Sequence, residues 1–176
     1  MCGAPLKGDT MEAEKPQHSD FLEIAALDRI VWAKNRHSAY IPDGEHLWRL
    51  FVEFSSVYIV RDQGKIVASS VMFLANSKHL MVLHKVFVEE GYRGKGLGNL
   101  LLGAITRDLD AHKTDCLLTT DPQNTKMLRL CEKYQFTERQ FVPSYYRTEE
   151  DRYVLYRRTG DRHHLHTGNA ESTTPG

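Results

Sequence analysis

Apolar residues recur along this chain with two different periods, and the changes of period mark out the elements. Leu22, Ile24, Ala25, Leu27 and Ile30 follow helical spacing after Ser19, a residue suited to cap a helix N-terminus. A second helix is expected after Asp43-Gly44, with Leu47, Trp48, Leu50, Phe51 and Phe54 as its core stripe. Val57-Tyr58-Ile59-Val60, the turn Asp62-Gln63-Gly64 and a strand over 65–74 then form a β-hairpin. After Asn76-Ser77-Lys78, a strongly apolar strand over 80–88 runs into a glycine-rich stretch. A helix over 96–112 follows, with Leu97, Leu100, Leu101, Ala104, Ile105 and Leu109 on one face. A strand over 115–120, a helix over 124–134 and strands over 136–141 and 152–158 complete the pattern. Strands dominate the start and helices alternate later, so the fold class is α/β, a mixed sheet with helices on its faces.

The two ends lack either period. Residues 1–18 and 159–176 are polar and punctuated by Gly, Pro, Ser and Thr, and read as flexible tails around one domain at 19–158. A chain of 176 residues can bury one core without staples. No apolar run approaches the ~20 residues of a membrane span, and no secretory leader is evident, so the expected compartment is the cytoplasm. Cys2, Cys116 and Cys131 are odd in number and widely spaced, which predicts reduced thiols. His163, His164 and His166 lack a second ligand cluster, so no metal site is expected. Lys plus Arg and Asp plus Glu number 23 each, so no global field draws nucleic acid or anionic lipid. Any anionic ligand must be caught locally.

One stretch can do that. Arg93-Gly94-Lys95-Gly96-Leu97-Gly98 lies between a strand and a helix, where unpaired backbone N–H groups and the helix dipole favour a phosphate. Glycines let the backbone approach the ligand, and Arg93 and Lys95 add charge. A nucleotide P-loop needs Gly-Lys-Ser/Thr at its end, but Asn99 and Leu100 follow Gly98. A dinucleotide fingerprint starting at Gly94 needs a glycine where Asn99 stands.

Arg-Gly-x-Gly-x-Gly after an apolar strand resembles the CoA-pyrophosphate loop of the GNAT superfamily of acyl-CoA N-acyltransferases. The lead-in Val86-Phe87-Val88-Glu89-Glu90-Gly91-Tyr92 resembles the family's strand, with Glu90 where a proline is common. Asn124 and then Leu130-Cys131-Glu132-Lys133-Tyr134-Gln135-Phe136 resemble its Asn and Leu-Tyr-Glu-Lys-x-Gly-Phe segment, with Cys131 for Tyr and Gln135 for Gly. The resemblance implies a central, mostly antiparallel mixed sheet and acetyl-CoA as co-substrate. It further implies that Phe87 and Val88 meet the pantetheine and thioester and that Arg93, Gly94, Lys95, Gly96, Leu97 and Gly98 hold the pyrophosphate. Asn124 would meet the pantetheine arm, and Lys133 either the outer phosphate or solvent.

Acetyl transfer needs a neutral amine, and amines with pKa of about 8 to 10.4 benefit from a base. Strand alternation places His84 with Leu80, Val82, Val86 and Val88 as the polar exception on that face, while Lys85 is expected to snorkel at the surface with Leu83 and Phe87. A histidine acts in proton removal at the corresponding position of some family members, so His84 is either the base or a satisfied core residue. Cys131 is either the acid for the departing thiolate or an inert small residue. Tyr145 and Tyr146 resemble channel tyrosines of the family's protein N-terminal acetyltransferases, so they are either substrate contacts or an aromatic pair that covers a loop edge. Glu149, Glu150 and Asp151 either draw a cationic amine or are solvated. The expected activity is acetyl transfer to a primary amine by direct attack, protein or peptide amine ahead of small molecule, by a monomer or homodimer. The alternative is a non-catalytic acyl-CoA-binding module.

Overall fold

The computed structural model describes residues 11–34, 42–77 and 79–160. Among these, seven strands form one sheet: β1 (Ala13–Glu14), β2 (Ser56–Asp62), β3 (Lys65–Leu74), β4 (Leu80–Val88), β5 (Asp115–Thr120), β6 (Glu138–Val142) and β7 (Arg152–Arg157). Their order is β1-β2-β3-β4-β5-β7-β6. Every pair is antiparallel except β4 with β5. The sheet is therefore mixed and mostly antiparallel, and α3 (Leu97–Ala111) makes the crossover that its one parallel pair requires.

Each face of the sheet buries its own cluster. On one, α3 and α4 (Thr125–Lys133) pack Leu97, Leu101, Leu102, Ile105 and Cys131 against Val60, Val67, Met72, Leu83, Leu118 and Leu155. On the other, α1 (Phe21–Trp32) and α2 (Glu45–Phe54) pack Ile24, Ala25, Leu27, Trp48 and Phe51 against Ile59, Ile66, Val71 and Phe87. Trp48 sits edge-on to both Phe51 and Phe87.

Several expectations change. Residues 11–18 are not all tail: Ala13 and Glu14 pair with Val60 and Ile59, and Arg61 ties Glu14 to Asp20. Ser19 is not the helix cap. It lies in a 3-10 turn, where the Gln17 backbone N–H donates to Asp20 and Asp20 occupies the N-cap of α1. Only Trp48 and Phe51 of the expected α2 stripe are buried, while Leu47, Leu50 and Phe54 face outward. Strand β6 starts at Glu138 rather than at 136, because Gln135 takes a positive φ and turns Phe136 back into the core. His163, His164 and His166 lie outside the described residues.

A β-bulge sets which way the side chains of β4 point. Val71 pairs with Lys85 but Met72 pairs with Leu83, so His84 is an extra residue on β4. Leu83 then packs toward α3 while Lys85 and Phe87 face α1 and α2. Strict alternation, which separated His84 from Lys85, fails at this position.

Leu101 is fully buried at the centre of the α3 face. Leu101→Ala should lower stability by about 2–5 kcal/mol, seen as a lower urea midpoint with an unchanged m-value.

Candidate active site

The β4–β5 ladder runs from Leu80 opposite Asp115 to Leu83 opposite Leu118 and goes no further. Beyond that point β4 stays bonded to β3, and β5 to β7. The two strands part, and a cleft of about 570 Å³ opens between them. Its walls include Lys85 to Val88 of β4, Thr119 and Thr120 of β5, Gly98 of α3 and Asn124, Met127 and Leu130 of α4.

The glycine-rich loop sits where β4 hands over to α3. Gly94 and Gly96 have φ of 82° and 86°, a left-handed conformation that a side chain would strain. Gly96 caps α3, and the first N–H groups of that helix, at Leu97 and Gly98, have no intrahelical acceptor. A Cβ added at Gly94 or Gly96 meets nothing within 4 Å, so the loop's outer side is open. Open backbone donors at a helix N-terminus fit a pyrophosphate. Arg93 lines the cleft, and Lys95 lies over the Tyr92 ring at 4.4 Å. Leu97 is a core anchor that seats the helix start.

The α1 and α2 side of the cleft carries a charged network. His84 Nε2 donates to Asp43 Oδ2 at 2.9 Å, and Lys85 Nζ lies 2.7 Å from that same oxygen and 2.7 Å from Asp28 Oδ2. Trp48 Nε1 donates to Asp28 Oδ2 at 3.0 Å. Burial alone would raise the Asp43 carboxyl, but the hydrogen bonds and charges of His84 and Lys85 outweigh it and hold it at about 2. An ionised carboxylate only accepts, so the Nε2 that faces it carries a proton, and the ring is oriented by that bond. The His84 side chain is 35% exposed and forms part of the cleft wall.

A model of the acetyltransferase (GNAT) family matches residues 19–136. The chain belongs to the GNAT acetyltransferase family. Members are acetyl-CoA-dependent N-acyltransferases, and acetyl-CoA is the co-substrate. YncA from Salmonella typhimurium, solved with its cofactor acetyl-CoA, superposes with TM-score 0.75 at 14% identity, covering 90% of this chain and 99% of that one. The ribosomal-protein-S18-alanine N-acetyltransferase of Escherichia coli gives 0.72 at 17%, covering 89% and 100%. PaiA N-acetyltransferase of Thermoplasma acidophilum, in complex with coenzyme A, gives 0.64 at 11%, covering 85% and 99%. These likenesses show a shared fold. A comparison with curated proteins finds no match.

The remaining positions implied by the GNAT resemblance fall unevenly. Phe87 is buried against Trp48 yet reaches the cleft, as do Val88 and Asn124. Asn124 also caps α4 by accepting from the Met127 N–H. Lys133 is exposed and donates to Asn99 Oδ1 at 2.6 Å, beside the loop. Cys131 is fully buried in the α3 face, off the cleft wall, and burial pushes its thiol up to about 12. That placement suits the inert small residue rather than an acid. Tyr145 and Tyr146 meet edge to face at 4.7 Å, and Tyr146 Oη bonds Thr119 Oγ1 at 2.9 Å, which brings the pair to the cleft. Glu150 is buried and paired with Arg152, so it is neither solvated nor free to draw an amine. Lys85 is only 14% exposed, not at the surface as expected. Asp28, Asp43 and Lys85 join the candidate site although no motif in the sequence singles them out. A carboxylate at helical spacing from Ile24 and Ala25 was a readable signal for Asp28, whereas Lys85 depended on the bulge.

Two outcomes are expected of this geometry. Gly96→Asp should weaken acetyl-CoA binding by about 100-fold or more in calorimetry, the scale of losing one or two charge-assisted hydrogen bonds, with the circular dichroism spectrum kept. Asp43 is depressed from 3.8 to about 2, so its stabilisation is present above 3.8 and is lost as pH falls through about 2. Asp43→Asn should therefore be less stable than the parent at pH 6, and the gap should close between those two values in denaturant titrations.

Proposed function

We propose that this protein transfers the acetyl group of acetyl-CoA to a primary amine by direct attack, both substrates being bound together, and that the amine belongs to a protein or peptide. The observation that carries this is the cleft itself. One opening in the sheet has the glycine-rich loop on one side and an imidazole oriented by Asp43 on the other. Acetyl-CoA supplies the activated acyl group when bound. Arg93 and the N–H groups at the start of α3 hold its anionic end, and β4 at Phe87 and Val88 lies along the cleft floor. The Nδ1 lone pair of His84 takes a proton from the acceptor ammonium, directly or through a water.

Two features support a peptide amine over a polycation. Asp28 and Asp43 are both engaged by Lys85, so neither is a spare carboxylate for a second ammonium. The aromatic pair Tyr145 and Tyr146, both partly exposed, borders the cleft through Thr119 and offers a flat rim to an extended chain. We assign the transferase domain to residues 19–158, with β1 as an added edge strand, and the cytoplasm as its compartment. Free, buried Cys116 and Cys131 suit a reducing environment.

Thiol release from acetyl-CoA, followed over a panel of peptides with free N-termini, lysine peptides, polyamines and aminoglycosides, tests the proposal. Peptides should give the highest kcat/KM. His84→Gln should lower turnover by ~10²–10⁴-fold and flatten the acidic limb of the pH profile. Tight acetyl-CoA binding without release for any amine would instead make the chain a binding module.

A further inference from the structure

Taking His84 as the base of the proposed transfer leaves a charge problem at the acceptor end of the cleft. Asp43 touches the imidazole directly, and Asp28 stands behind it on α1. A histidine in the field of two carboxylates is favoured as imidazolium, which has no lone pair to accept a proton. Lys85 offsets that field. Its ammonium lies at 2.7 Å from each carboxylate, and the Asp43 oxygen that it touches is the one bonded to His84. With Lys85 present and His84 neutral, the cluster carries one net negative charge; without Lys85 it carries two.

The surroundings hold this arrangement in place. Trp48 fixes Asp28 from α2, and the Trp32 ring lies 5.2 Å from the Lys85 ammonium. Around the imidazole, α2 presents the ring of Phe51 and β3 that of Phe73, each 5.8 Å from it. The segment before α2 presents Asp43, β4 presents Lys85, and α1 places Asp28 beyond Lys85. The bulge makes the cluster possible, because only an inserted residue lets neighbours 84 and 85 reach one carboxylate.

We propose that Lys85 is a positioning residue: anchored on Asp28, it shares one oxygen of Asp43 with His84, holds that carboxylate on Nε2 and offsets the pull of the two carboxylates on the imidazole. The role is electrostatic and does not require Lys85 to touch substrate.

Titration of the His84 imidazole by ¹H–¹⁵N correlation NMR on the full chain, assigned by loss of the signal in His84→Gln, tests this without reference to turnover. Lys85→Met should raise the titration midpoint by about one pH unit, the scale expected for removing a unit charge a few ångströms from a half-exposed site. Asp43→Asn should lower it. Lys85→Met strands the buried Asp28 carboxylate and can unfold the chain, so D28N/K85M carries the same test with both charges removed. Its midpoint should also move upward, by less, because the net charge is unchanged while the cation lost shares an oxygen with His84 and the carboxylate lost stands beyond it. In assays, the acid limb of turnover should move with the midpoint while KM for acetyl-CoA stays unchanged. Midpoints that coincide with the parent in both Lys85 variants overturn the role. A parent that turns over no amine refutes acetyl transfer instead, and the titration still decides the question of Lys85.

Discussion

The architecture depends on where β4 and β5 stop pairing. Up to Leu83 and Leu118 they form a parallel ladder buried between helices, and past those residues each strand keeps only its antiparallel partner. A parallel pair supported on both sides can part at one end without losing the sheet, because β3 and β7 keep the backbone bonded. The freed edge of β4 and the helix start that comes after it then face one opening. In the proposed reading, cofactor groups and acceptor groups need no separate domain, since the same strand ends at the loop and carries His84 four residues before Val88.

The bulge has a comparable effect on the chemistry. A regular β4 would send His84 and Lys85 to opposite faces. With the extra residue, both reach Asp43, and a strand with apolar flanks acquires a polar corner. The cost is a local break in the β3–β4 ladder between Val71 and Met72, which sits beside the aromatic cluster of Phe51, Phe73 and Trp48.

Much of this was legible in the chain. The hairpin at Gly64, the apolar run of β4, the glycine stretch and the face of α3 all rest on local pattern, and local pattern decides such elements. The loop's suitability for an anionic ligand was legible because its chemistry lies in one contiguous segment. What escaped depended on partners distant in sequence. Lys85 and Asp28 are 57 positions apart, and Asp43 and His84 are 41 apart. The outward face of α2 escaped for another reason: periodicity identifies an apolar stripe but not how wide a part of it the sheet can cover, and only Trp48 and Phe51 reach the sheet. Cys131 shows the reverse limit, since a resemblance supplied a role that burial at its position does not favour.

The glycines of the loop, alike in the sequence, answer to different demands. Gly96 has room where a side chain would begin, and what it needs is handedness, since an L-residue resists φ of 86°. Gly98 has ordinary helical geometry but no room: a methyl group there would sit 3.1 Å from Leu130 Cδ2 on α4. A methyl there would require Leu130, a residue of the cleft wall, to give by a few tenths of an ångström. The first glycine can be understood from chirality alone, and the second only from volume.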